Sequence, residues 1–131
     1  MQDFSKILTK VKNVKLLYIE DNEDVRNSTV GLFGNIFQSI AVAVDGEDAI
    51  VKLEASDYGY ALVITDINMP KVDGYGVIDK IRKKEKDIKI YILSAYNQID
   101  NIQKAGAQVD AYLYKPLDIK MLFDVLEKDF C

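Results

Sequence analysis

Histidine is absent from this 131-residue chain, and cysteine occurs once, at Cys131. Without histidine the chain cannot build a His-based catalytic triad or a His–metal site, and it cannot carry phosphohistidine itself. A single cysteine excludes an intrachain disulfide and, with no histidine beside it, a Cys/His zinc site. The lone thiol suits a reducing compartment. No apolar run approaches the length that spans a bilayer. No charged-then-apolar leader marks export, so a soluble cytoplasmic protein is the expectation. Basic residues are outnumbered 17 to 21, a net charge of −4. That balance argues against unaided binding of nucleic acid or of an anionic membrane.

What is present is apolar patterning: 49% of residues are hydrophobic, enough for one domain with a real core. Phe4, Ile7, Leu8 and Val11 stand at helical spacing with Lys6, Lys10 and Lys12 between them, which predicts a short amphipathic helix in an N-terminal extension, residues 1–13. A frayed leader is the alternative, since isolated helices this short are marginal. Five short apolar runs follow, at 14–19, 40–44, 61–65, 88–93 and 111–114. Four of the intervals and tails carry helical faces: Val25, Thr29, Leu32, Phe33 and Ile36; Ala49, Ile50 and Leu53; Val77, Ile78 and Ile81; and finally Ile119, Leu122, Phe123, Leu126 and Phe130. A short, mostly polar helix is expected over 97–107, with Ile99 and Ile102. Asn22 and Asp118 are placed to cap helices, and Asp73-Gly74 reads as turn and helix-start chemistry. The stretch from Arg82 to Lys86 reads as a solvated charge run.

Strand and helix thus alternate five times. This implies an α/β domain, a parallel sheet with helices on both faces. Right-handed crossovers leave few topologies, and the flavodoxin-like, doubly wound (βα)5 order 2-1-3-4-5 is the common five-stranded solution.

In such a sheet all C-terminal strand ends lie on one edge, where ligands bind. The first strand ends in Glu20 and Asp21, the third in Asp66, the fourth in Ser94 and the fifth in Lys115. Each residue alone is an ordinary strand terminator. Together they bring three carboxylates, a hydroxyl and an ammonium into one crevice. Two carboxylates about 4 Å apart repel by roughly 4 kcal/mol at an effective dielectric near 20, and one lysine offsets only part of that. A divalent cation with oxygen ligands is the natural remedy. The hard donor set points to Mg²⁺, with Mn²⁺ as a substitute. A carboxylate nucleophile, a cation, a hydroxyl and a metal are the parts that phosphoryl transfer needs. Asp66, at the middle of the sheet, is the nucleophile candidate.

These residues carry a resemblance. Glu20-Asp21-Asn22 after the first strand, Asp66-Ile67-Asn68-Met69-Pro70-Lys71-Val72-Asp73-Gly74 after the third, Ser94-Ala95 after the fourth and Tyr112-Leu113-Tyr114-Lys115-Pro116 in the fifth are similar to the motifs of response regulator receiver domains of bacterial two-component systems. The resemblance covers about residues 14–130 and implies a receiver domain over 14–131. It implies that Asp66 accepts a phosphoryl group from a histidine kinase, a phosphotransfer protein or acetyl phosphate. It also implies that Asp21, Asp66 and the backbone carbonyl of Asn68 hold Mg²⁺, with Glu20 acting partly through water. Lys115 would pair with phosphoryl oxygens, Ser94 would move toward them, and Tyr112 would turn inward as the switch aromatic. The Lys115–Pro116 peptide would be cis. Asn68 and Tyr96 would tune the phosphorylation lifetime. Output would run through the fourth helix, fifth strand and fifth helix of the (βα)5 unit, to an unnamed output partner or effector domain. The chain could stand alone, in the manner of a chemotaxis regulator, or form part of a longer protein.

Two positions depart from the family pattern. Glu20 stands where many members have aspartate. Gly106 lies four residues before Asp110, where the family places a Gly-Ala-Asp-like turn directly before the fifth strand. Three other readings compete. A haloacid-dehalogenase-like phosphohydrolase wants a second aspartate two residues after the nucleophile, and Asn68 stands there. A flavodoxin-like cofactor binder wants a phosphate cradle after the first strand, where Glu20 and Asp21 supply the opposite charge. A docking pseudo-receiver would lack site residues, and here every position is filled.

Overall fold

The sheet forms because its strands are apolar on both faces. A computed structural model describes residues 3–67, 73–84, 86–95 and 109–131 of the chain. Its strands are β1 (Lys15–Ile19), β2 (Ser39–Ala43), β3 (Leu62–Thr65), β4 (Lys89–Ala95) and β5 (Ala111–Lys115). All pairs are parallel, in the order β2-β1-β3-β4-β5. The central strand β3 is buried at every residue, the mark of a strand covered on two sides.

Alternation then sorts the side chains. Leu16, Tyr18, Leu62, Ile64, Tyr91, Leu93 and Leu113 point to one face. There they meet α1 (Phe4–Val11), α2 (Glu23–Phe33) and α5 (Ile119–Phe130). Leu17, Ile19, Val63, Ile90 and Ile92 point to the other, against α3 (Gly46–Ala55) and α4 (Gly74–Lys83). The two-residue period of a strand thus builds two cores from one sheet. The sheet order, the parallel pairing and the helices on both faces are those expected from the sequence. The helix expected over 97–107 lies outside the described residues.

Each of the five described helices starts on a side-chain cap: Asp3, Asn22, Asp45, Asp73 and Asp118 accept from backbone N–H groups of the first turn. The N-terminal stretch is a helix that packs into the core. Ile7 and Val11 are fully buried, and the Phe4 ring lies 5.1 Å from that of Phe123 on α5. The Gln38 N–H donates to the Lys12 carbonyl (3.0 Å), which ties the end of α1 to the turn before β2.

Three expectations change. Leu32, expected inside, is 43% exposed. The helical period sets its angle but not the width of the covered stripe, and α2 turns Thr29 and Phe33 to the sheet instead. Val44, expected in the second strand, lies past its end. Its N–H donates to Asp48 Oδ2 (3.0 Å), so the first turn of α3 takes the amide that another strand residue would have used. The run from Arg82 to Lys86 is not simply solvated. Arg82 donates to the Ile88 carbonyl (2.8 Å) and to Asp110 Oδ2 (3.1 Å). Lys84 Nζ sits 5.1 Å over the Tyr58 ring, and Lys86 Nζ donates to the Asp57 carbonyl. Asp57 and Tyr58 both have positive φ, 54° and 56°. The two lysines therefore brace a strained loop between α3 and β3. Among the described residues no helix is long and apolar enough to cross a membrane.

Candidate functional site

Three strand ends deliver the site. β1 is continued past Ile19 by a bond from the Glu20 N–H to the Ala43 carbonyl (3.1 Å), which holds Glu20 inside the sheet edge. Its side chain is buried: Oε2 accepts from the Asn22 N–H (3.2 Å) and Oε1 from Lys115 Nζ (2.6 Å). Asp21, one residue on, is exposed. Arg26 Nη1 donates to the Glu20 carbonyl (2.9 Å), fixing the turn that separates the two acids. At the end of β3, the Asp66 N–H donates to the Ile19 carbonyl (3.2 Å). Asp66 Oδ1 accepts from the Ile67 N–H (2.6 Å) and Oδ2 from Lys115 Nζ (2.8 Å). Lys115 closes β5 opposite Ala95, and its peptide bond to Pro116 is cis. One ammonium thus bridges two carboxylates that belong to different strands.

The electrostatics follow from burial. Glu20 is held above its ordinary value chiefly by burial, which outweighs the lowering influence of Lys115 and of the Asn22 N–H. For Lys115 burial works against the charge. The bonds to Asp66 and Glu20 outweigh it, and the ammonium is held above its ordinary value. The two directions agree physically, because Glu20 is more deeply buried than Lys115 and has more hydration to lose. One carboxylate oxygen from each of Glu20, Asp21 and Asp66 lies within 4.8 Å of the others. Three hard oxygen donors at that spacing fit a small divalent cation that also keeps water ligands.

Ser94 is fully buried on β4, opposite Tyr114 on β5. Tyr112 is half-buried and packs with the α3/α4 core. The structure therefore brings Glu20, Asp21, Asp66 and Lys115 together and sets Ser94 one residue short of the end of the adjoining strand. Asn68 and Tyr96, to which roles were assigned by resemblance, lie outside the described residues.

Two features were not read from the sequence. A Cβ at Gly74 would stand 2.5 Å from the Asp66 carbonyl oxygen and 2.8 Å from Ile67 Cα. Only glycine lets α4 start this close to the Asp66 backbone, where its N–H donates to the Ile67 carbonyl (3.1 Å). Asp73-Gly74 signals a helix start in sequence, but nothing local announces the close approach. The second is a cavity of about 600 Å³ between α2 and the β5–α5 connection. Val25, Thr29, Leu32, Leu93 and Leu117 line it, and Lys115 links it to the carboxylates. Behind Thr29, burial pushes the Tyr18 phenol up to about 12. The Thr29 hydroxyl approaches that phenol without closing a well-formed hydrogen bond.

Comparison with known proteins agrees with this geometry. The family model described as response regulator receiver domain matches residues 16–127. The chain is similar to the response regulator protein FleR of Pseudomonas aeruginosa, 32% identical over 118 residues, covering 87% of this chain and 24% of that one. It is similar to the chemotaxis protein CheY of Treponema pallidum, 40% identical over 85 residues, with 63% and 58% covered. It therefore spans only a part of each of these relatives. Among solved structures, response regulator protein TrrA of Thermotoga maritima, in complex with Mg(2+)-BeF, superposes with a TM-score of 0.74 at 31% identity, covering 88% of this chain and 97% of that one. With its 2-1-3-4-5 sheet and its acidic strand ends, the chain belongs to the response regulator receiver domain family of two-component signal transduction.

Proposed function

We propose that the chain is a phosphorylation-dependent switch whose phosphoacceptor is Asp66. The observation that carries the reading is the Lys115 bridge. A lysine held between Glu20 and Asp66 marks the place where charge must be balanced, and Asp66 is the member of the pair nearer to solvent. In the reaction an Asp66 carboxylate oxygen forms a bond to phosphorus. The P–N bond of a phosphohistidine, or the P–O bond of acetyl phosphate, breaks, and its electron pair leaves with imidazole or acetate. Lys115 holds the phosphoryl oxygens, and Ser94 donates its hydroxyl to them. Glu20, Asp21, Asp66 and the Asn68 carbonyl would hold Mg²⁺, or Mn²⁺ in its place. When bound, the ion neutralises charge that builds on the phosphoryl oxygens. The solved complex of TrrA with Mg(2+)-BeF supports that choice.

The phosphoryl donor is a sensor histidine kinase or a histidine phosphotransfer protein. The switch then works by population shift: Ser94 moves to the new ligand and Tyr112 takes the vacated space. The rearranged surface of the fourth (βα)5 helix, β5 and α5 is read by an output partner or an effector domain. The only chemistry of the switch is its own phosphorylation and dephosphorylation, so it is not a turnover enzyme. Its receiver domain runs from 14 to 131 with 1–13 as an extension, and its place is the cytoplasm.

Intact-mass spectrometry after incubation with acetyl phosphate and Mg²⁺ tests this. Wild type should gain one phosphoryl group and Asp66→Ala none. An adduct that persists in Asp66→Ala moves the acceptor elsewhere. No adduct in wild type leaves the docking pseudo-receiver.

A further inference from the structure

We infer that Asp110 is a positioning residue for the site, fixing the register of β5 and with it the place of Lys115; the inference rests on the switch reading above. Among the described residues β5 is an edge strand, paired only with β4. Lys115 must nevertheless reach Glu20 and Asp66, which stand at the ends of β1 and β3. Its position is therefore set by how β5 lies along β4. A slip of one residue moves the strand by about 3.3 Å and turns every side chain to the opposite face. Lys115 would lose both carboxylates at once.

The start of β5 carries a clamp against that slip. The Asp110 N–H donates to the Ile90 carbonyl (2.8 Å), and Asp110 Oδ2 accepts from the Ile90 N–H (2.8 Å). One residue thus satisfies both polar groups of Ile90. The same oxygen accepts from Arg82 Nη2 (3.1 Å), whose Nη1 is anchored on the Ile88 carbonyl (2.8 Å). From the opposite face of the sheet, Lys128 Nζ of α5 donates to the Asp110 carbonyl (3.0 Å). α4, β4 and α5 therefore all grip the residue before the first ladder pair, Tyr91 with Ala111. None of these bonds touches the carboxylate cluster. They act through the strand, from its far end.

The test measures two things on the full chain. One is the rate of Asp66 phosphorylation by acetyl phosphate with Mg²⁺. The other is the Lys115 Cε–Nζ NMR signal in the untreated protein. Asp110→Ala should slow phosphorylation by about 10- to 100-fold, the scale of a small misplacement of a catalytic group. It should also shift the Lys115 signal, at a temperature where circular dichroism shows the variant folded. Asp110→Asn keeps an acceptor for the Ile90 N–H and should restore both readouts to near wild type. A folded Asp110→Ala with the wild-type rate and an unmoved Lys115 signal overturns the inference. Should Asp110→Ala fail to fold, Arg82→Met decides in its place: slowed phosphorylation and a moved Lys115 signal support the inference, and an unchanged pair overturns it. A wild type that takes up no phosphoryl group defeats the switch reading instead, and the Lys115 signal still judges the clamp.

Discussion

Lys115→Met removes one charge and leaves two acids. The ammonium bonds Glu20 at 2.6 Å and Asp66 at 2.8 Å, and the Glu20 side chain is only 2% exposed. Removing one partner of a buried ion pair costs about 3–5 kcal/mol, mostly because the other charge is left uncompensated. Lys115 is itself a quarter exposed, so the lower end, about 3 kcal/mol at neutral pH, is the expected loss. With a urea m-value of about 1–3 kcal/mol/M, the unfolding midpoint should fall by about 1–3 M. The pH dependence identifies the cause. Glu20 has a raised folded pKa, so the stability tied to its protonated form is complete below its ordinary 4.5 and is lost as pH rises through the folded value. Without Lys115 the strongest lowering influence is gone and Glu20 rises further. The gap between variant and wild type should be smallest near pH 4 and widen toward neutrality. It should close again only above the ordinary 10.5, as pH rises through the raised value of Lys115 in the folded wild type. Mg²⁺ should narrow the gap at pH 7 by supplying positive charge to the same oxygens. Urea titrations at three pH values, with and without Mg²⁺, measure all of this. A gap equally wide at pH 4 and pH 7 would refute the electrostatic account and assign the loss to packing of the lysine stem.

Two further perturbations test the scaffold. Gly74→Ala forces a methyl group into the Asp66 backbone; it should destabilise by about 1–3 kcal/mol, as overpacking does, and should disturb the Asp66 amide signal more than amides in β2. Ile7→Ala removes a fully buried side chain from the α1/α2/α5 core and should cost about 2–5 kcal/mol in chemical denaturation. An unchanged midpoint would mean that α1 is not docked in solution.

How much of this was legible beforehand depends on range. The strands declared themselves, because a run such as 62–65 needs only local apolarity to be recognised. The convergence of Glu20, Asp21, Asp66 and Lys115 followed from topology, since a parallel sheet puts all strand ends on one edge. Leu32 was misplaced because a helical period gives an angle and not the extent of cover. Lys83, Lys84 and Lys86 of the basic run at 82–86 are exposed as expected, but what Arg82 and Lys86 bond was not legible. Their partners, Asp110 and the Asp57 loop, lie nearly thirty residues away in either direction, and charge alone carries no information about distant acceptors. Gly74 shows the same limit: its role is a short distance to another strand's backbone.

The chain spans only part of the length of relatives such as FleR and CheY. In this chain the family match begins at residue 16, while α1 ends at Val11 and buries Ile7 and Val11 against the domain. A graft made at the family boundary would therefore carry an open apolar seam where those side chains belong. On a fresh fusion partner, that seam would be free to capture a neighbour's helix. A chimera that keeps the extension from the cap residue Asp3 leaves that seam closed and should stay monodisperse where the shorter one clusters.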